Sequence, residues 1–357
     1  MWNLLARYRL ARAGARRDAI TQSDVLAARS VLFAVFSRYG DGIAAFKGIG
    51  EFARRYPDKR YTVVTTPQAL PYAEEIIGAR TTLIGIDKRR DFLKIARLLL
   101  ELRRAPPDIA FNPWSHGSES QALLSFARRF ELFTDFAKTH AWHNHYQWMR
   151  DCLRIPPPVD GRTPALPKTA GRVVISPFST DIRRSLSAAD IERLLGWARA
   201  RYPGCEITLA LFRAELPRLP KVPDVRHFFF AKSDAKSREF LRLVKEADLF
   251  IGVDSGPLHV AGALGRPALG LFGPTPPERV LDRDTTIVAV RLPELAGVLC
   301  DIRTCGNPVC LHGIDLDAHS GSARGTRYAV PVKVEVERCR VGLQQADRSR
   351  AGMPGTI

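Results

Sequence analysis

The sequence has no apolar run long enough to cross a bilayer. Its longest apolar stretches are of the length of VLFAVF (residues 31–36), whereas a membrane-spanning helix needs about 20 consecutive apolar residues. The first residues, MWNLLARYRLARAGARR, also lack the continuous apolar region of a secretory signal. We therefore expect a cytoplasmic protein that is at most peripheral on the inner face of the cytoplasmic membrane.

Cysteine is scarce and its spacing matches no known framework. The six cysteines are at positions 152, 205, 300, 305, 310 and 339, so we expect no disulfide network. The segment CDIRTCGNPVCLHGID does not have the spacing of a zinc ribbon or finger. His140, His143 and His145 in THAWHNHYQW have no acidic or cysteine partner at a recognised spacing, and we favour domain packing or acceptor contact for them. We predict neither a metal ion nor another cofactor.

Acidic residues are in deficit. Asp and Glu number 37 against 54 Lys and Arg, which gives a formal charge of +17 and a pI near 10. This excess favours an anionic partner, namely nucleic acid, an anionic membrane surface or a phosphorylated substrate; solvated helix faces are the alternative explanation. The chain has no recognisable nucleic-acid-binding motif, so we predict no nucleic-acid partner. Residues 1–30 form a basic leader, either an interfacial helix on an anionic leaflet or a solvated segment.

Short β-branched or apolar runs alternate with helical patterns from residue 31 onward, and one of the predicted helices is ESQALLSFARRFELF (residues 119–133). Strict alternation predicts an α/β fold with parallel sheets covered on both faces. The Pro- and Gly-rich segment 154–171 is predicted to link two Rossmann-like domains, residues 31–153 and 172–315, which face each other across a cleft. Residues 316–357 form an atypical tail. No G-x-G-x-x-G follows the first strand of either half, which disfavours a dehydrogenase.

The stretch DLFIGVDSGPLHVAGALGRPALGLFGPTPPER (residues 248–279) carries the strongest chemical signal. It reads as strand, polar turn, helix, strand and a second turn, with Pro257 suited to the first position of the helix. Free N–H groups and the helix dipole make such a turn an anion site. Because Gly256 has no side chain, a phosphate can approach the backbone closely there. Asp254 suits sugar hydroxyls, and His259 can donate to the same ligand. An ordinary capped turn is the alternative.

The pattern D-S-G-P-x-H-x-A-x-A-x-G-x-P-x-L-x-L-F-G-P-T-x-P in this stretch resembles the donor-site signature of glycosyltransferase family 9, the ADP-heptose:lipopolysaccharide heptosyltransferases. The resemblance implies a GT-B fold with two Rossmann-like domains and a nucleotide sugar bound by the C-terminal one. It implies that Asp254 meets the sugar and that Thr275 lies nearby. It also implies that Ser255, Gly256 and His259 surround the diphosphate.

The resemblance implies two further donor residues. VVISPFSTDIRRSLSAADIERLL is similar to a family loop with lysine, tryptophan and proline, whose positions fall on Arg184, Leu186 and Ser187. A cation at position 184 suits a diphosphate that gains charge as it leaves, although arginine and lysine are not interchangeable. ITLALFRAELPRL implies that Glu215 lies near the nucleoside ribose, although the usual glycines before it are absent. A surface arginine and a helix-start glutamate are the structural alternatives.

The N-terminal half resembles the same family at SRYGDGIAAFKGIGEFARRYP. The family's aspartate there is its proposed general base, and the resemblance places it at Asp41. An inverting transfer needs a carboxylate to accept the proton of the attacking hydroxyl. The family's proline a few residues later is missing, and a turn or capping role for Asp41 stays open. Candidate acceptor contacts are Lys47, for which a solvated side chain is the alternative, and Trp114 and His116 of NPWSHGSESQ.

We therefore predict an inverting glycosyltransferase that moves a heptose-type sugar from an ADP-sugar to a lipopolysaccharide core or a related lipid-linked, phosphorylated glycan. The resemblance covers roughly residues 31–315. The first alternative is a non-catalytic nucleotide-sugar-binding relative. The second, suggested by charge alone, is a basic nucleic-acid-binding protein.

Overall fold

The computed structural model describes residues 2–37, 39–78, 80–140, 144–158, 164–292, 295, 309–312, 314 and 316. They divide into two compact units. The N-terminal unit lies within Met1–Val159 and Ala231–Arg242, and the C-terminal unit lies within Asp160–Phe230 and Leu243–Ile357. The middle of the predicted linker (159–163), the cysteines at 300, 305 and 339, and the tail from residue 317 onward lie outside the described residues.

The N-terminal unit is built on a five-stranded parallel sheet with strand order β3-β2-β1-β4-β5. Its helices and strands are α1 (Trp2–Ala11), α2 (Gln22–Ala27), β1 (Ser30–Val35), α3 (Tyr39–Arg55), β2 (Arg60–Thr65), α4 (Leu70–Ile77), β3 (Thr81–Gly85), α5 (Phe92–Arg104), β4 (Ile109–Phe111), α6 (Ser118–Leu124), β5 (Arg129–Glu131), α7 (Phe133–Thr139) and α8 (His145–Leu153).

The central strand β1 shows why this sheet is buried on both faces. Residues 31–35 of β1 are all buried, because a continuous apolar run suits a strand covered by helices on either side. Val31 is in register with Tyr61 of β2 and with Ile109 of β4. Crossovers between parallel strands are right-handed, so α3 and α4 cover one face of the sheet and α5 and α6 cover the other.

The basic leader is a packed helix in this structure. Trp2 and Ala6 of α1 are buried in the same core cluster as residues of α5 and α6. Arg9 donates from Nε to Ser125 Oγ at 2.9 Å and lies over the ring of Phe126. Helix α1 therefore lies on the α5 and α6 side of the N-terminal sheet.

The C-terminal unit is built on a six-stranded parallel sheet with strand order β11-β10-β9-β6-β7-β8. Its helices and strands are β6 (Arg172–Ser176), α9 (Ala188–Arg201), β7 (Glu206–Leu211), β8 (Arg226–Phe229), β9 (Leu249–Val253), α11 (Gly256–Ala263), β10 (Ala268–Phe272), α12 (Pro277–Val280) and β11 (Ile287–Arg291). Helix α10 (Asp234–Glu246) belongs to the N-terminal unit up to Arg242 and to the C-terminal unit from Leu243 onward.

The prediction of an α/β fold with two parallel sheets is confirmed, but the predicted helix over residues 119–133 is wrong in its second half. Helix α6 ends at Leu124, and Arg129–Glu131 form β5 beside β4. Arg128 and Arg129 donate their backbone N–H groups to Pro107 and Asp108. Pairing with the sheet edge therefore overrides the helical spacing of this segment.

The described part of the chain has no membrane-spanning helix, and its three cysteines are unpaired. No helix there combines the length and apolarity of a bilayer-spanning segment. Cys152, Cys205 and Cys310 are free thiols, and burial raises the pKa of Cys152 above its usual range.

Candidate functional site

Asp254 is the centre of a polar cluster at the carboxyl end of β9. It follows the last residue of the strand and is buried, with 4% of its surface exposed. Its Oδ2 accepts from Arg184 Nη1 at 3.1 Å and its Oδ1 lies 3.4 Å from His259 Nε2. Thr275 also hydrogen-bonds the carboxylate. The structure thus brings Arg184, predicted from a separate stretch of the sequence, together with three residues of the stretch 248–279.

The electrostatics of this cluster hold Asp254 ionised. Burial by itself would raise the pKa of its carboxyl. The hydrogen bond and charge of His259, the charge of Arg184 and the hydrogen bond of Thr275 outweigh burial and lower the pKa to about 2. Asp254 is therefore a carboxylate at any physiological pH, and it accepts hydrogen bonds rather than donating them.

Two polar atoms of the cluster have no hydrogen-bond partner among the residues that the structure describes. Ser255 Oγ and Arg184 Nε are buried and make no hydrogen bond. Ser255 stands at the N-cap of α11 but its side chain does not cap the helix, unlike an ordinary capped turn. Buried polar groups without partners are uncommon in native proteins, and here they flank a helix N-terminus that favours anions. The cluster can therefore bind a phosphate-bearing ligand.

Arg291 supports the second turn and was not identified from the sequence. It is the last residue of β11 and is buried. Its Nε donates to the carbonyl oxygen of Gly273 at 2.9 Å and its Nη2 donates to that of Pro274 at 3.4 Å. These bonds fix the turn that carries Thr275. The only sequence signal was an arginine at the end of the apolar run IVAV.

Glu215 lies after β7, on a 3-10 helix over Arg213–Arg218. Its Oε2 accepts from the Phe212 backbone N–H at 2.7 Å, and burial raises the pKa of its carboxyl. Glu215 thus holds its own turn and makes no hydrogen bond to the Asp254 cluster.

A second polar cluster surrounds Asp41 in the N-terminal unit. Asp41 lies in the first turn of α3, and its Oδ1 is 3.1 Å from Nε2 of His145, the first residue of α8. The imidazole of His145 stacks on the indole of Trp114, with ring centroids 4.4 Å apart and planes at 19°. Asp41 and Trp114 were predicted separately from the sequence, and neither was paired with His145.

The loop after β4 presents Trp114 in an uncommon backbone conformation, with φ at 53°. Buried Asn112 holds this loop, because its Nδ2 donates to the Ser115 carbonyl oxygen at 2.7 Å and its Oδ1 accepts from the Phe133 N–H at 2.7 Å. Ser115 Oγ accepts from the N–H of Phe36, just after β1. Asn112 is a positioning residue that the sequence did not single out.

The remaining predicted acceptor residues lie around the same helices. Lys47 on α3 has its Nζ 5.4 Å from the ring centroid of Tyr146 on α8. His116 is exposed and its ring packs edge-on against Phe133 at 5.1 Å. His140 stacks on Phe136 at 4.0 Å, and His143 lies outside the described residues.

Part of the C-terminal unit matches a known protein family. Residues 237–299 match the model of glycosyltransferase family 9 (heptosyltransferase), which confirms the resemblance found in the stretch 248–279. A stretch of 41 residues is 51% identical to lipopolysaccharide heptosyltransferase 1 of Campylobacter coli. That alignment spans 12% of this chain and 12% of the relative.

Solved structures with the same fold cover most of the chain. The glycosyl transferase family 9 structure from Veillonella parvula superposes with a TM-score of 0.53 at 14% identity, over 77% of this chain and 87% of that one. An E. coli heptosyltransferase solved with ADP-2-deoxy-2-fluoro heptose superposes with a TM-score of 0.51 at 16% identity, over 74% and 93%. The fold is therefore GT-B, as predicted.

Proposed function

We propose that this chain, related to glycosyltransferase family 9 through residues 237–299, is an inverting glycosyltransferase. It transfers a heptose-type sugar from an ADP-sugar to a lipopolysaccharide core or a related glycan. The observation that carries the proposal is the buried Asp254 cluster, where two polar atoms without partners, on Ser255 and Arg184, lie at a helix N-terminus.

The donor is bound by the C-terminal unit in this proposal. Ser255 and Gly256 at the start of α11 bind the diphosphate, and Arg184 balances its negative charge. The carboxylate of Asp254 accepts hydrogen bonds from the sugar hydroxyls while His259 and Thr275 orient it. Glu215 contacts the ribose only if its carboxylate leaves the Phe212 N–H that it now holds.

Asp41 is the proposed general base. Its carboxylate takes the proton of the acceptor hydroxyl, whose oxygen forms the new bond to the anomeric carbon. The bond from that carbon to the diphosphate oxygen breaks with its electron pair, and ADP leaves with the added charge stabilised by Arg184. His145 holds the carboxylate in place through the Nε2–Oδ1 contact of 3.1 Å.

The acceptor contacts are proposed for the N-terminal unit. Trp114 and His116 offer rings on which a sugar can stack, and Lys47 offers a cation to a phosphorylated glycan. A lipid-linked acceptor would bring the enzyme to the inner face of the cytoplasmic membrane as a peripheral protein. The residue assignments and the domain limits of 31–153 and 172–315 are part of this proposal.

Calorimetric titration of ADP against UDP and GDP tests the donor half. We expect selective ADP binding by the wild type, weaker binding by Asp254→Ala, and loss of binding by Gly256→Val because a larger side chain fills the diphosphate site. Glu206→Ala is the matched control, since Glu206 is exposed at the amino end of β7, whereas the candidate donor residues follow the carboxyl ends of strands of the same sheet. Absence of binding to every nucleotide would contradict the donor site.

Release of ADP in the presence of a glycan acceptor tests the transfer itself. We expect Asp41→Asn to lower kcat by about 10²–10⁴-fold, the range for removing a general base, and to leave ADP affinity unchanged. A wild type that binds the ADP-sugar but never releases ADP would favour the non-catalytic relative. An Asp41→Asn variant with the wild-type rate would overturn only the base assignment.

A further inference from the structure

Exposed apolar side chains of the N-terminal unit are concentrated on two helices. Among the described residues nine large apolar side chains are exposed, and five of these are on α1 and α5. They are Leu4, Tyr8, Phe92, Leu93 and Leu100, and Leu93 is the most exposed at 88%. Single exposed leucines need no explanation, but such a concentration on neighbouring helices does.

Helix α5 is apolar on two opposite sides. Ile95, Leu98 and Leu102 are buried in the core of the unit. Leu93 and Leu100 are seven residues apart, so they lie on one outward stripe, and Arg97 at i+4 from Leu93 lies on it too. Folding of the unit accounts for the inner side alone, so the outer stripe is available to a partner.

The charges around these apolar residues are almost all positive. Helix α5 carries Lys94, Arg97, Arg103 and Arg104 against a single acid, Glu101. Helix α1 carries Arg7 and Arg9 and no acid, and the guanidinium of Arg12 lies 3.9 Å from the ring centroid of exposed Tyr8. A partner that covers this surface must therefore be both apolar and anionic.

The two helices lie on the same side of the N-terminal sheet. Right-handed crossovers put α5 beside α6, and α1 packs on α6 through the Arg9 contacts with Ser125 and Phe126. Ala6 of α1 and Leu98 of α5 are buried in one core cluster, so α5 lies close to α1. The α1–α5 face is defined by the exposed residues Leu4, Arg7, Tyr8, Arg12, Phe92, Leu93, Arg97, Leu100, Arg103 and Arg104.

We propose that the α1–α5 face binds the surface of an anionic lipid bilayer. Aliphatic side chains flanked by arginines suit the boundary between headgroups and acyl chains, and the basic charge suits anionic headgroups. Nucleic acid has no acyl layer to cover Leu93 and Leu100, and a second copy would bring like charges together. This inference rests on the peripheral membrane location proposed above and assigns a surface to it. It does not depend on the transfer step, because no residue of this face belongs to the candidate site.

Co-sedimentation of the full chain with vesicles tests the proposal. The wild type should bind vesicles of phosphatidylglycerol and phosphatidylethanolamine more tightly than vesicles of phosphatidylcholine, and binding should weaken with salt. The double variant Leu93→Ser, Leu100→Ser should bind about tenfold or more weakly, since two leucines lose their burial in the acyl region. The control Leu26→Ser, at a leucine exposed at 62% on α2, should bind as the wild type does.

Arginine variants test the charge requirement separately. Arg97→Gln and Arg104→Gln should each weaken binding to the anionic vesicles by about fivefold, the contribution expected of one basic residue near such a surface. All these variants should bind ADP as the wild type does, which separates a failure of the membrane face from a failure of the donor site.

Three outcomes would overturn the proposal. The first is unchanged vesicle binding by the Leu93→Ser, Leu100→Ser variant. The second is a dimer in analytical ultracentrifugation that this variant abolishes, which would assign the face to a second copy. The third is duplex DNA binding that the same variant abolishes, which would assign it to nucleic acid.

Discussion

Asp254 links the stability of the C-terminal unit to pH. Its pKa is lowered from 3.8 to about 2 in the folded protein, so its carboxylate stabilises the fold fully above the unfolded value and progressively less as pH falls through the folded one. A shift of this size corresponds to about 2 kcal/mol. We expect Asp254→Asn to lower the free energy of unfolding at pH 7.

The loss of unfolding free energy caused by Asp254→Asn should shrink by about 1 kcal/mol between pH 6 and pH 3, because the Asp254 carboxyl of the unfolded wild type is largely protonated at pH 3. Urea unfolding of both proteins across this range measures the difference. Glu246→Gln, at an exposed residue of the same unit, controls for the general effect of acid. A loss of unfolding free energy that does not change with pH would mean that Asp254 acts through packing alone.

His145 is expected to act through Asp41. Because His145 contacts Asp41 through Nε2, glutamine can present its amide nitrogen at a similar place, whereas the shorter asparagine cannot. We expect His145→Gln to retain most of the transfer rate, and His145→Asn to lose about a hundredfold in kcat, as for a group misplaced by about 1 Å. Steady-state ADP release measures both rates.

A structural role for His145 would give a different result. Packing against Trp114 requires a flat ring, so His145→Phe would then retain activity and His145→Gln would not. The KM for the ADP-sugar should stay unchanged in all three variants. A rise in that KM would contradict the assignment of His145 to the N-terminal, acceptor-side cluster.

At the scale of elements, long periodic segments could be predicted from the sequence and short ones could not. Helix α5 and strands β1 and β9 have continuous signals of burial or amphipathicity. Strand β5 has three residues, and only its backbone pairing with β4 distinguishes it from the helical pattern around it. Strand β11 is weakly marked in the sequence for a related reason, since the helix between it and β10 has only four residues.

The candidate site was predictable where its residues are close in sequence. Asp254, Ser255, Gly256 and His259 fall on one strand–turn–helix unit, so their spacing alone indicates an anion site. The Asp41–His145 contact joins residues 104 positions apart. Two helices bring that pair together, and nothing in the local pattern of either residue indicates the other.

Packing between α11 and β10 depends on Gly270. A Cβ at this position would lie 2.6 Å from Phe272 Cε2 and 2.9 Å from Ile287 Cγ2, closer than real Cβ atoms come, and at a tight 3.0 Å from Leu258 Cδ2 of α11. We expect Gly270→Ala to lower the free energy of unfolding by about 1–3 kcal/mol, the usual effect of overpacking a core. Guanidinium unfolding measures it, with loss of ADP affinity as a second readout because α11 carries the donor residues.

Gly196→Ala is the matched control for Gly270→Ala. Gly196 is exposed within α9, and a Cβ there would meet nothing within 4 Å. Because glycine costs about 0.5–1 kcal/mol relative to alanine inside a helix, this variant should be more stable than the wild type. Equal effects of the two substitutions would show that the close approach at Gly270 does not limit packing.

At the scale of the whole molecule, the net charge of +17 does not by itself identify a partner. The structure locates part of it on α1 and α5, next to exposed leucines, and another part at Arg184 beside a buried carboxylate. These two settings have different ligand chemistry, since one combines charge with apolar area and the other combines it with a helix N-terminus. The two proposed ligands should therefore protect different units of the protein.

Hydrogen exchange with each ligand tests this separation. ADP should slow amide exchange in β9 and α11 of the C-terminal unit, by about a hundredfold at 100 times its Kd where exchange requires unfolding. Anionic vesicles should slow exchange in α1 and α5 and leave β9 and α11 unchanged. If ADP protects α5 as strongly as α11, the donor site does not belong to the C-terminal unit alone. Vesicle protection confined to α11 would contradict the membrane face, because α11 contributes no residue to it.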